Sequence, residues 1–287
     1  MVHSFFDPQT YTITHLVADP ETNEAAIIDS VLDYDIVTGK ISHESADKVI
    51  EMVRERGYRL QWILETHAHA DHVTAAQYLK QQLGGQIAIG ERITDVQKVF
   101  TNVFHLGTDF PTDGRQFDHL WKDGEVFHIG SIEARVLTTP GHTPADVTYL
   151  IGDAAFVGDT IFMPDYGTAR CDFPGGSAET LFESVRRLYT LPNETRVFLC
   201  HDYLPETRAE YRWETTVSAE KEQNIHVAER IDKDAFVQMR QARDKTLGMP
   251  RLIIPSIQIN IRAGVVPEPE QNGISYLKVP INGVFAG

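Results

Sequence analysis

Residues 65–77 read ETHAHADHVTAAQ, and they place His67, His69, Asp71 and His72 within six positions. Buried polar side chains need hydrogen-bonding partners, so packing is a poor account of three imidazoles this close together. The apolar run QWILET (61–66) enters the cluster as a short buried strand. VTAAQYLKQQL (73–83) leaves it as a helix that stops at Gly84-Gly85. The cluster therefore sits on a strand-to-helix turn, at the carboxyl end of a strand, where α/β architectures gather their sites.

Three more apolar runs end on residues of the same chemistry: His142 in TPGHT (139–143), Asp159 in VGDT (157–160) and His201 in LCHDY (199–203). Four strand ends thus deliver five histidines and two aspartates, a donor set suited to a metal. The remaining histidines (His3, His15, His43, His105, His119, His128 and His226) stand alone and read as packed or solvated side chains.

Around these ends the pattern is mixed. YTITHLVA and EAAIIDSV, separated by DPETN, form a strand pair with a turn. HESADKVIEMVRER puts Ala46, Val49, Ile50 and Val53 on one helical face, with Gly57 as the stop. QIAIG is a strand, and residues 91–119 are less regular. DGEVFHIGSIEARVLTTPGHT gives strands joined at Gly130-Ser131, and DVTYLIGDAAFVGDT is a hairpin turning at Gly152-Asp153. SAETLFESVRRLYTL is an amphipathic helix with Ser177 as N-cap. Residues 1–204 therefore predict an α/β sandwich carrying the site. Residues 205–287 predict an extension packed on it, with helices in TTVSAEKEQNIHV and DKDAFVQMRQARDKTL and a strand in SIQINIRAG.

The chain of 287 residues carries a net charge of −15, which argues against nucleic acid as a partner. It leaves room for an anionic small substrate where local arginines reverse the field. No run of 18 apolar residues suggests a membrane span. The N-terminal sequence lacks the pattern of a leader, and the expected location is cytoplasmic. Cys171 and Cys200, the only cysteines, fit a reducing compartment as packed thiols better than a structural disulfide.

The order and spacing of THAHADH, PGHT, GDT and the final HD resemble the metallo-β-lactamase superfamily. The resemblance implies an αββα sandwich. In its two-metal members His67, His69 and His142 would hold one ion, Asp71, His72 and His201 the second, and Asp159 would bridge. MPDYGTARCDFPGG (163–176), CHDY and the tail IPSIQINIRAGVVPEPEQNGISYLKVPIN (254–282) are similar to the persulfide dioxygenase branch. That branch implies one Fe(II) per chain on His67, His142 and Asp159, a 2-His-1-carboxylate set with positions left for substrate and oxygen. His69, Asp71, His72 and His201 would then support the ligands or hold a second metal. Asp71 is the candidate to orient a ligand ring or to anchor a bound water. The implied reaction takes glutathione persulfide, O2 and water to sulfite and glutathione. Arg170 would pair with a glutathione carboxylate, and Tyr203 would stand beside the iron. Asn260 and Arg262, on one face of the expected strand, would reach the cleft. The rival readings are a dinuclear zinc hydrolase of glutathione thioesters and a non-catalytic, regulatory metal-binding protein. A homodimer would draw its apolar surface from residues 91–119 or the tail.

Overall fold

The computed structural model describes residues 1–283. The chain opens with β1 (Val2–Asp7), β2 (Thr12–Ala18), β3 (Glu24–Ile28), β4 (Val31–Tyr34) and β5 (Ile41–Ser42). It continues through α1 (Glu44–Arg56), β6 (Arg59–Leu64), β7 (Val73–Thr74), α2 (Ala76–Leu83), β8 (Gln86–Gly90), α3 (Ile93–Val103) and β9 (His119–Trp121). The second half holds β10 (Val126–Ile129), β11 (Ile132–Thr138), β12 (Val147–Ile151), β13 (Ala154–Phe156), α4 (Ala178–Leu188), β14 (Arg196–Phe198) and β15 (Glu214–Thr216). Three helices follow, α5 (Val217–Gln223), α6 (Lys233–Asp244) and α7 (Ile253–Asn260).

These strands form two six-stranded sheets, ordered β1-β2-β3-β6-β8-β9 and β10-β11-β12-β13-β14-β15, plus a small sheet β5-β4-β7. Pairs β3–β6, β6–β8, β8–β9 and β13–β14 are parallel. Parallel pairs need long crossovers, and helices α1 to α4 lie within them. The strands are apolar on both faces because each sheet is covered twice. In β3, Ala26 and Ile28 face the other sheet, while Ala25 and Ile27 face the helices. In β14, Phe198 faces between the sheets and Val197 faces α4 and α6. Three apolar layers result, which is the expected αββα sandwich.

The predicted helix at 43–56 forms as α1, with Ala46, Val49, Ile50 and Val53 buried and Gly57 left-handed at φ 66°. Ser177 Oγ accepts from Thr180 N and caps α4. Two expectations fail. Residues 91–119 contain a regular helix, α3, whose inward face includes the polar Gln97. That amide spans Gly114 N, Gln116 Oε1 and Ile261 O, so its burial breaks the apolar pattern. SIQINIRAG is not a strand: its first half lies in α7, where seven of eight residues are buried. A helix covered all round loses the polar face that reveals its period, and its isoleucines read as β-formers. Among the strands that went unread, two complete the large sheets. The first is β1; the second is β15, by which residues 214–216 pair with β14 and complete the second sheet. No helix of the described residues is long and apolar enough to cross a membrane.

Candidate metal centre

Strand ends converge at one edge of the sandwich. The loop after β6 brings His67, His69, Asp71 and His72. The segments after β11, β13 and β14 bring His142, Asp159 and His201. The donors fall into two principal groups, His67/His142/Asp159 and His69/Asp71/His72/His201, with ligand atoms in each group within 4.8 Å of one another. His67, His69, His72 and His201 are essentially sealed, while Asp71 retains 22% side-chain exposure. His67 Nε2 and His142 Nε2 lie 3.9 and 3.7 Å from Asp159 Oδ2. His201 Nε2 lies 3.0 Å from Asp71 Oδ2 and 3.4 Å from Asp159 Oδ1.

Each imidazole uses one nitrogen on the protein and turns the other inward. His142 Nδ1 donates to Arg170 O at 2.7 Å. His69 Nε2 donates to Asp29 Oδ1 at 2.9 Å, with Glu65 Oε2 at 3.3 Å. Thr66 Oγ1 gives its proton to Asp29 Oδ2, so it accepts from His67 Nδ1 at 3.0 Å. His72 Nδ1 faces Thr12 Oγ1 and Asp71 Oδ1, and His201 Nδ1 faces Tyr11 O. These acceptors fix the tautomers, leaving a lone pair on the inward nitrogen. His69 Nδ1, His72 Nε2, His201 Nε2, Asp71 Oδ2 and Asp159 Oδ1 are buried with no hydrogen-bond partner. Five inward ring nitrogens and two carboxylates fit a cation or two. Burial and the neighbouring rings hold His67 well below the usual histidine range and bring His72 to about 4, so both stay neutral and ligand-ready.

Asp29 was not singled out by sequence. It follows β3 with φ 52°, a left-handed conformation uncommon for a residue other than glycine. Its carboxylate accepts from Thr66 N, Thr66 Oγ1 and His69 Nε2. Nothing in the IIDS pattern distinguishes it from a turn residue. Asp71 does not orient His67 or His142, whose outer nitrogens are served by Thr66 and Arg170 O; it sits against His72 and His201 instead.

Above the donors opens a cleft of about 360 Å³, floored by Asp71, His142 and Asp159 and walled by Phe162, Tyr166 and Phe173. Tyr203 lines it, its ring stacked on His201 at 5.6 Å, and makes no side-chain hydrogen bond among the described residues. Burial, then Asp71 and Asp159, push its hydroxyl well above the usual tyrosine range, so it keeps its proton. Arg170 also lines the cleft, but its fork is spent on Asp172, with Nη1 on Gly248 O. Asn260 and Arg262 do not reach the cleft. Because α7 is a helix, the Asn260 amide turns into the loop that carries His69 and His72. Arg262 donates to Gln258 O and lies over Phe110. Two cleft residues the sequence reading passed over are Arg243, in α6, and Arg251. Neither has a carboxylate within ion-pair distance among the described residues. Lone arginines in an exposed helix and turn carry no local signal. Cys171 and Cys200 are buried free thiols that burial holds well above the usual range, hence protonated and unreactive.

Imidazoles and carboxylates converging at the edge of an αββα sandwich, under a substrate-sized cleft, define a metal-dependent enzyme. Residues 14–201 match the metallo-beta-lactamase superfamily, and the chain belongs to it. It is 50% identical to a probable metallo-hydrolase from Burkholderia pseudomallei, over 99% of both chains. It is 48% identical to glyoxylase B2 from Dictyostelium discoideum, over 98% of this chain and 97% of that one. Against the persulfide dioxygenase ETHE1 of Bos taurus the identity is 29%, over 94% and 91%. Among solved structures, ETHE1 from Myxococcus xanthus superposes with a TM-score of 0.73 at 28% identity, covering 92% of this chain and all of that one.

Proposed function

We propose that the protein is an iron(II)-dependent dioxygenase that converts glutathione persulfide, O2 and water to sulfite and glutathione. The observation that carries this reading is the separate His67/His142/Asp159 group beneath the cleft. Two imidazoles and one carboxylate are the donor set that leaves coordination positions for both a substrate and oxygen. The likeness to ETHE1 over most of the chain supports it.

Bound there, iron(II) would supply sites for the persulfide sulfur and O2 and the electron transfer between them. The remaining work falls to the chain. Thr66 and the Arg170 carbonyl hold the two ligand rings in the required tautomer. Tyr203 offers a hydroxyl proton to a group on the cleft floor, and Phe162 and Phe173 limit water at that end. Arg243, whose side chain also meets the Tyr166 hydroxyl, and Arg251 would meet the carboxylates of the glutathione moiety. In the net reaction both atoms of O2 pass to the outer sulfur, which is oxidised. Water supplies the third oxygen of sulfite, the S–S bond breaks, and glutathione leaves as the thiol.

A specific observation favours a second reading, a dinuclear zinc thioesterase acting on glutathione thioesters. His69 Nδ1 and His72 Nε2 also point inward without partners, and relatives near 50% identity carry hydrolase-type names. Metal content and an oxygen electrode on the same sample separate the two. About one iron per chain, with O2 consumed on adding glutathione persulfide, is expected. Two zincs with S-lactoylglutathione hydrolysis and no O2 uptake would overturn the dioxygenase. Metal without turnover of either substrate would leave a binding protein.

A further inference from the structure

Residues 67–72 carry four of the seven donors yet belong to no helix or strand, so no backbone ladder holds their carbonyls. Among the described residues one side chain bonds the main chain of this segment. Asn260 Nδ2 donates to His69 O and to His72 O, both at 2.8 Å, while its Oδ1 accepts from Thr74 N at 2.9 Å. The amide is 3% exposed. A single –NH2 group therefore bridges two residues of the loop whose side chains both face the metal centre. The third bond ties the loop to β7 where it rejoins the sheet.

We infer that Asn260 is a positioning residue of the metal centre. It is supplied from about 190 positions away in the chain, and it fixes the spacing of His69 and His72 and hence the affinity of their donor group for a cation. The inference rests on the second reading above, in which the His69/Asp71/His72/His201 group also holds a cation. It makes α7 part of the site rather than a cover over it. The helix is well placed for this, because Ile253, Ile257, Ile259 and Ile261 seat it in the apolar layer outside the first sheet. The Asn260 amide is thus presented from a rigid element.

The same helix contains its own control. Gln258, 1% exposed, also makes three amide bonds, but to Ile254 O, Lys278 O and Lys278 N, all away from the donors. Asn260→Ala and Gln258→Ala each leave buried backbone groups unpaired, so both should lower the urea midpoint of the metal-free chain. Only Asn260→Ala should weaken metal binding, by roughly 10–100-fold in chelator competition with zinc or iron(II), the scale expected when a ligand's support is removed. If Asn260→Ala does not fold, Asn260→Asp keeps the side-chain volume and the acceptor to Thr74 N but removes both donors, and it should show the same loss. Wild-type affinity in the Asn260 variants, or an equal loss in Gln258→Ala, would overturn the inference while leaving the metal centre intact. A wild-type chain that binds neither metal would overturn the metal centre and this inference together.

Discussion

The two donor groups differ in how they are satisfied. In His67/His142/Asp159 the closest approaches between imidazole and carboxylate are 3.7 and 3.9 Å, too long for hydrogen bonds. In the other group Asp71 lies 3.0 Å from His201 Nε2 and 3.3 Å from His72 Nδ1. Asp71 can thus share charge with its neighbours. The first group has two inward lone pairs and a carboxylate that cannot neutralise one another by contact, and unpaired buried polar atoms are costly. A cation resolves that cost for the first group. In the second, His69 Nδ1, His72 Nε2, His201 Nε2 and Asp71 Oδ2 are buried without hydrogen-bond partners, but Asp71 Oδ2 and His201 Nε2 lie within ion-pair distance of each other. The comparison predicts unequal dependence on metal, and mutations can test it.

The largest effect is expected at Asp159, which belongs to the first group and touches the second through His201. Asp159→Ala should lose bound metal and activity together, beyond the roughly 10–100-fold that removal of an outer partner costs. Elemental analysis and oxygen uptake check it; an active, metal-replete variant would break the comparison. Asp71→Ala should behave differently. It should retain about one iron per chain and lose turnover by roughly 10–100-fold, because Asp71 acts through His72 and His201. A drop from two metals to one with hydrolysis abolished would show that both groups are ligand sets.

Buried histidine alone does not make a donor, and His15 supplies the contrast. Like His67 it is sealed, but both ring nitrogens are taken, by Ser4 Oγ and Leu199 O at 2.9 Å, and its ring lies edge-on to Phe156 and Phe198. Burial, opposed by its bond to Leu199 O, lowers its pKa from 6.5 to about 4. The folded chain keeps this ring neutral where the unfolded chain protonates it. The stability it contributes is therefore present above pH 6.5 and lost as pH falls toward 4. At pH 5 the loss is about 2 kcal/mol relative to pH 7. In metal-free protein, His15→Gln should lose that much less on the same descent in urea titrations. Equal losses in both proteins would mean that His15 is not buried neutral.

The donors were legible because each follows an apolar run at a strand end, and imidazole clusters have few other uses. The sandwich was legible because its buried strands read as short apolar runs bounded by turn residues and its amphipathic helices kept their period. What hid was held by tertiary context. In α7, burial on every side erased the helical signature, and with it the direction of Asn260 and Arg262. Gln97 hid α3 by being polar and inward. Asp29 and Glu65 orient His69 from places that look like a turn and a strand end. Arg170 was visible as an arginine near the site, but its engagement by Asp172 depends on how the loop closes.

The cleft extends the comparison from its floor to its rim. The floor offers Asp71, His142 and Asp159; the rim offers Arg243 and Arg251, the local reversal of field that a chain of net charge −15 needs to hold an anion. Both arginines are exposed, so each pairing should be worth at most about 1 kcal/mol. Arg243→Ala and Arg251→Ala should each raise KM by about two- to five-fold and leave kcat near wild type, the pattern of binding that is uniform between ground and transition states. High salt should shrink the difference. The glutathione moiety is common to the persulfide and thioester substrates, so the KM effect should follow glutathione whichever donor group carries the chemistry. A fall in kcat with KM unchanged would move these arginines from the rim to the reacting end of the substrate.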